Sequence, residues 1–220
     1  MSRRVSMWFL AGLLLVVAIG CTSGPAEQKE ARLIPMEDFF RNPEKAGYQL
    51  SPDGEHISFL APWNNRLNVH VQKIGSDEAT RITESTERDI RGYLWLNNNR
   101  IGWIQDTGGD ENWHLYAVDI DGSNYLEGTP FSGVQVRPLD ELEDDDEHIL
   151  IGMNKRNPQI FDVYRMNVNS GDLKMVAENP GNVAGWTTDN EGVVRMATTT
   201  DGVNTSLLYR ATEKDPFKTV

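Results

Sequence analysis

One pattern recurs through most of the chain and leaves few folds open to it. From residue 47 onward, short alternating apolar and polar segments are separated by clusters of Gly, Asn, Asp and Ser, as many short antiparallel strands require. His56-Ile57-Ser58-Phe59, Arg100-Ile101-Gly102-Trp103, His148-Ile149-Leu150-Ile151 and Gly192-Val193-Val194-Arg195 align as equivalent strands. Their reference positions Ile57, Ile101, Ile149 and Val193 are spaced by 44, 48 and 44 residues. A third strand follows in step: Asn68-Val69-His70-Val71, His114-Leu115-Tyr116-Ala117-Val118, Asp162-Val163-Tyr164-Arg165-Met166 and Ser206-Leu207-Leu208-Tyr209. Ala79 to Thr83, Leu126 to Thr129, Leu173 to Val176 and Phe217 to Val220 close the four units.

Between the first two strands of each unit lies a turn: Ser51-Pro52-Asp53-Gly54, Asn97-Asn98-Asn99, Asp144-Asp145-Asp146 and Thr188-Asp189-Asn190. Pro presets φ, Asp and Asn bond their own backbone, and Gly accepts positive φ, so these are hairpin residues. Four strands in about 45 residues is the length of one β-propeller blade. A sandwich also has short strands but lacks this fixed recurrence. The expected fold is therefore all-β: a partial β-propeller of about four four-stranded blades, at 47–83, 90–130, 134–177 and 182–220.

The segment before the repeats has a different character. Arg3 and Arg4 precede the apolar run 7–17, and Ala18-Ile19-Gly20-Cys21 follows, the charged, apolar, then small-residue order of a secretory signal. The run is short for a membrane span. Ala-Ile-Gly-Cys resembles a bacterial lipobox, with Ala18 where Leu is commonest, which makes Cys21 a lipidation site. The expectation is a lipoprotein-type signal peptide at 1–20, a flexible tether at 21–33 and a short helix at 34–46, where Phe39 and Phe40 should find something to pack on. The protein is then exported to the cell envelope and held to a membrane by its lipid anchor. Thr22 follows Cys21, where an aspartate would favour retention at the inner membrane; the periplasm or the outer membrane is the expected location. Cys21 is the single cysteine, so no disulfide framework exists. The net charge of −12, which becomes −14 once Arg3 and Arg4 are removed with the signal, opposes nucleic-acid binding.

Ile34-Pro35-Met36-Glu37-Asp38-Phe39-Phe40-Arg41-Asn42-Pro43 and the later Leu50-Ser51-Pro52-Asp53-Gly54 resemble the start of prolyl oligopeptidase-family (peptidase family S9) enzymes. The resemblance is to the dipeptidyl-aminopeptidase and acylaminoacyl-peptidase-like members in particular. Residues 105–119, from Gln105-Asp106-Thr107-Gly108-Gly109 through Asp110-Glu111-Asn112-Trp113-His114 to Asp119, are similar to a stretch of their second blade. Phe161-Asp162-Val163-Tyr164-Arg165 and Glu178-Asn179-Pro180-Gly181 continue the likeness, which covers 34–220. In that family a larger propeller caps an α/β-hydrolase domain and limits which peptides reach its Ser-Asp-His triad. The resemblance implies a serine peptidase whose hydrolase domain lies beyond Val220. The chain contains no Gly-x-Ser-x-Gly elbow, so no catalytic residue is assigned, no cofactor is called for, and the 220 residues alone should be inactive.

Some relatives hold a substrate's free amino terminus with propeller acids, and Asp110 and Glu111 are the candidates for that contact. The four histidines, His56, His70, His114 and His148, lack metal-ligand spacing and read as structural or surface groups. Asp119-Ile120-Asp121-Gly122-Ser123-Asn124 lacks the distal glutamate of a calcium loop and matches a hairpin turn. Seven acids in the eight residues 140–147 read as a solvated hairpin tip. Trp95, Trp103, Trp113 and Trp186 read as packing between blades. The alternative is a Tol-type periplasmic propeller that acts by binding or scaffolding a protein partner.

Overall fold

The computed structural model describes residues 33–220. The segment 1–20, Cys21 and all but the last residue of the 21–33 tether lie outside the described residues. Among those described, no helix is long and apolar enough to cross a membrane.

The one helix among the described residues, α1 (Met36–Phe40), is shorter than the 34–46 expected. Pro35 caps it with an extended ψ of 144°, and Glu37 and Asp38 suit the positive end of the helix dipole. Arg41 returns to extended geometry, and Asn42 is kept from continuing the helix by Pro43. Phe39 and Phe40 are 68% and 82% exposed, against the expectation that they would pack.

Beyond α1 the chain folds into four antiparallel sheets of four strands, each in sequence order. Sheet one holds β1 (Ala46–Leu50), β2 (His56–Trp63), β3 (Arg66–Lys73) and β4 (Ala79–Arg81). Sheet two holds β5 (Tyr93–Asn97), β6 (Arg100–Gln105), β7 (His114–Asp119) and β8 (Leu126–Glu127). Sheet three holds β9 (Val136–Asp140), β10 (His148–Asn157), β11 (Ile160–Asn167) and β12 (Leu173–Ala177). Sheet four holds β13 (Val183–Thr188), β14 (Val194–Thr200), β15 (Thr205–Tyr209) and β16 (Lys218–Thr219).

The core lies between sheets. Leu60, Val69 and Val71 of sheet one pack on Trp95, Ile101 and Val118 of sheet two. Leu96, Leu115 and Ala117 meet Ile149, Ile151 and Met166, and Leu150, Val163 and Ala177 meet Val194. Ile101 and Ile149 are fully buried, whereas the equivalent Ile57, on the side of sheet one away from sheet two, is half-buried. The fourth repeat differs from its sequence alignment by one residue: Val194, and not Val193, is fully buried, at the start of β14. Asp189 accepts hydrogen bonds from the Glu191 and Val193 amides at 3.0 and 2.9 Å, which keeps Val193 in the turn.

Polar ties cross each junction. The Trp95 indole donates to Ser58 at 3.0 Å, and the Tyr93 hydroxyl donates to the Gly47 carbonyl. Arg100 of β6, 3% exposed, ion-pairs with Asp119 and donates at 2.8 Å to the carbonyl of Val168, in the turn that follows β11 of sheet three. Arg210 binds the carbonyls of Val194 and Val176, joining sheets four and three. The Trp186 indole reaches the Phe161 carbonyl at 3.2 Å. Burial of such groups is tolerable because each finds a partner.

A second polar set recurs near the start of the third strand in each of the first three sheets and fastens the connector leaving the sheet. Asn68, fully buried, accepts from the Thr83 hydroxyl (2.9 Å) and the Ser85 amide (2.7 Å). His114 contacts the Thr129 carbonyl at 2.6 Å through Nδ1, while the Thr129 hydroxyl accepts from the Leu115 amide. Asp162, also fully buried, accepts from the Asn179 amide (2.7 Å) and from Arg156. These side chains orient the connectors on which the next sheet depends. Asn68→Ala leaves the Ser85 amide and Thr83 hydroxyl without their acceptor, so urea unfolding should show a loss of about 1–3 kcal/mol. An unchanged midpoint would mean the connector is held without Asn68.

Candidate functional site

Antiparallel order sorts the connections into two sets. Turns from first to second and from third to fourth strands lie at one end of the sheets. Hairpins from second to third strands share the other end with the connectors between sheets. First strands from three sheets converge on a cavity of about 680 Å³, walled by Leu50, Leu96, Asn97, Pro138 and Asp140 among others. This convergence places β1, β5 and β9 on the axial side.

The acidic segment 140–147 borders that cavity and is not wholly a solvated tip. Leu142, in the left-handed conformation at φ +56°, is 6% exposed and packs beside Gly192. Gly192 sits at φ +68°, and a Cβ there would fall 2.1 Å from Leu142 Cδ2, so any other residue would be strained and would displace the Leu142 side chain. Asp145 pairs with His148 at 3.0 Å and with Arg165 at 3.4 Å.

Asp110 and Glu111 lie at the opposite end, in the long hairpin between β6 and β7. Both are exposed. Asp110 accepts from the side chain and the backbone amide of Asn112, each at 3.1 Å, and these bonds hold its carboxyl below the usual carboxylate range. It is therefore ionised at neutral pH.

Glu111 is in the left-handed region at φ +60°, which costs a residue with a Cβ about 1–2 kcal/mol. Its peptide is gripped on both sides. The amide donates to Asp106 at 3.3 Å, and the carbonyl accepts from Gln135 at 2.8 Å. Asp106 is itself buried and sits 3.0 Å from the Arg88 guanidinium, which comes from the connector before sheet two. Gln105 in turn donates to Ser85 and to the Arg88 carbonyl. Gly109, at φ +88°, passes so close to Arg88 that a Cβ would lie 2.9 Å from Nη1. The loop is thus preset by two connectors, with an ionised carboxylate and a neighbouring glutamate displayed outward. Such a pair can accept hydrogen bonds from an ammonium group.

Two further axial cavities lie near this end. One, about 530 Å³, is walled by Ile104, Trp113, Val136 and Pro138 together with Arg91 and Arg137. The next, about 500 Å³, is bounded by Phe161, Trp186, Arg137 and Pro138 among others. Arg137 and Pro138 belong to both. The Arg137 guanidinium lies over the Phe161 ring, 3.9 Å from its centroid.

The sequence reading missed Arg88, Asp106, Gln135 and Arg137. Arg88, Asp106 and Gln135 gain their places by contacts that reach across connectors, and Arg137 by stacking on Phe161 two strands away in sheet three; none carries a local pattern. Trp113 precedes β7 and lines a cavity, whereas Trp95 and Trp186 do bridge sheets. Trp103 stacks on Tyr116 with centroids 5.5 Å apart. Among the described residues, no group of three His, Cys, Asp or Glu is arranged to hold a metal. Asp121 spends its carboxylate on the amide and hydroxyl of Ser123.

The stacked sheets, their sequential strand order and their converging first strands define a β-propeller protein. No protein-family model matches the chain. It is 33% identical over 167 residues to dipeptidyl aminopeptidase BIII of Pseudoxanthomonas mexicana, across 75% of this chain and 24% of that protein. It is 28% identical over 195 residues to dipeptidyl peptidase family member 6 of Caenorhabditis elegans, across 85% of this chain and 26% of that protein. The chain belongs to the prolyl oligopeptidase (S9) family as a dipeptidyl peptidase-like sequence, and it spans about a quarter of the length of these relatives. Among solved structures, an oligogalacturonate lyase in complex with manganese is similar, with TM-score 0.53 and 8% identity over 76% of this chain and 52% of that one. That likeness concerns fold alone. TolB from Acinetobacter baumannii has TM-score 0.46 and 14% identity, over 80% of this chain and 43% of that one.

Asp106→Asn removes the charge that holds both Arg88 and the Glu111 amide. Hydrogen exchange at Glu111 should then accelerate on the order of tenfold, the weight of one hydrogen bond to a charged group. Exchange at the core amides of β6 and β7 should stay the same. Unaltered exchange at Glu111 would show that Gln135 and the glycines suffice to hold the loop.

Proposed function

We propose that this chain is the propeller segment of an exported serine peptidase, in which it gates and orients peptides for an α/β-hydrolase domain. The observation that carries the reading is the 33% identity with a dipeptidyl aminopeptidase across three quarters of the chain. The propeller fold fits the role. A ring of sheets around a narrow axis admits an extended peptide and excludes a folded protein by size. The hydrolase domain performs the acyl-enzyme chemistry, with the attacking serine activated by an adjacent base.

Asp110 and Glu111 receive the substrate's free amino terminus. A preset loop lowers the cost of ordering the site when peptide binds, since its conformation is fixed in advance. Arg3, Arg4, the apolar run and Cys21 direct export and lipidation, so the enzyme is anchored in the periplasm or at the outer membrane with peptides as its substrates.

The test is to express the whole reading frame containing this segment beside the 220-residue chain, and to assay both on dipeptidyl chromogenic substrates. The longer polypeptide should cleave them and the 220 residues should not. In the longer polypeptide, Asp110→Asn with Glu111→Gln should raise KM by about tenfold or more for substrates with a free amine, with little change for N-blocked ones. Cys21→Ser should move the protein out of the membrane fraction. Cleavage by the 220 residues alone, or none by the longer polypeptide, would overturn the reading.

A further inference from the structure

Among the described residues of this acidic chain, the arginines are almost all occupied. Arg41, Arg81, Arg88, Arg100, Arg156, Arg165 and Arg195 pair with carboxylates. Arg66 and Arg210 donate to backbone carbonyls. Arg91 and Arg137 have neither kind of partner among the described residues, although the chain carries 33 acids against 21 Lys and Arg. Both are exposed, and both border the same axial cavity of about 530 Å³.

Arg137 has a further property. The guanidinium lies over the Phe161 ring, and among the described residues no carboxylate or carbonyl takes its N–H groups, which can pair bidentately with a carboxylate. On one side of it stand Trp113 and Ile104, on the other Phe161 and Trp186. A cation held between an apolar cavity and one of mixed lining, walled in part by Phe161 and Trp186, suits a ligand whose anionic group has apolar neighbours.

We infer that Arg137, assisted by Arg91, is the carboxylate-reading group of a peptide groove on the axial side, selecting an acidic side chain flanked by apolar residues. This rests on the peptide-handling reading above and adds to it a substrate class. The neighbouring cavities take the flanking side chains, and displacement of water from Ile104, Trp113, Phe161 and Trp186 supplies the charge-independent part of the affinity. Arg137 is placed here as a specificity residue and not as a catalytic one.

The experiment is calorimetric titration of the purified protein with acetyl-Leu-Glu-Leu-amide and with its Gln analogue, which differ only in the charge. The Glu peptide should bind about tenfold more tightly, with a preference that weakens as salt rises. Arg137→Gln should bring the Glu peptide to the affinity of the Gln peptide, while Arg137→Lys should retain part of the difference. Arg91→Gln should reduce the preference without abolishing it. Arg137 is exposed, and a wild-type melting transition in each variant separates a lost contact from a lost fold. Equal affinities for the two peptides, a preference that survives Arg137→Gln, or no saturable binding of either peptide would each overturn the assignment. Binding without charge preference would leave the proposed peptidase role standing. Inactivity of the longer polypeptide would overturn that role whatever the titration gives.

Discussion

The structure depends on apolar burial between successive sheets. A four-stranded sheet of this size has apolar side chains on both faces and cannot cover them alone. Ile101 and Ile149 become fully buried only because another sheet lies against each. Stability in such an array is close to a sum of single-unit and neighbour terms, so each junction carries the units on either side of it. Shape alone would leave adjacent sheets free to slide. The Trp95, Arg100, Trp186 and Arg210 bonds remove that freedom, since each donor finds its acceptor in one register only.

Connectors between sheets follow the same logic at the other end of the molecule. A buried side chain near the start of each of the first three third strands holds the backbone that leaves the sheet, and the residue differs each time: Asn68, His114, Asp162. The connector before sheet two then does a second job, because Arg88 reaches from it to Asp106 beneath the long hairpin. The geometry of the Asp110–Glu111 loop is thus inherited from the stacking of sheets one and two. A loop built this way is held by the scaffold and still displays its carboxylates to solvent.

Much of the architecture was legible in the residues. The recurrence of Ile57, Ile101 and Ile149, the turn chemistry of Ser51 to Gly54 and Asn97 to Asn99, and the third strands all follow from strand period and turn propensity, which are local. The exceptions have local causes that a repeat alignment averages away. Asp189 captures Val193 in a turn and passes the core position to Val194, and α1 ends at Phe40 because Arg41 is already extended. The candidate site was legible only in part. Asp110 and Glu111 could be picked out, but the Asn112 hydrogen bonds that hold the Asp110 carboxyl low, the left-handed backbone of Glu111 and the support of that residue by Asp106 and Gln135 could not.

The sequence by itself determined the all-β repeat, the four-strand unit and the family resemblance, because alternation, turn residues and spacing act over a few residues at a time. Only the tertiary structure decided which charges remain free. Arg91 and Arg137 are separated by a whole repeat in the chain and come to one cavity because stacking superimposes equivalent positions of neighbouring sheets. Pairing an arginine with a carboxylate is a matter of a few ångströms in space. Such distances are settled by how the sheets pack, and no reading along the chain contains them.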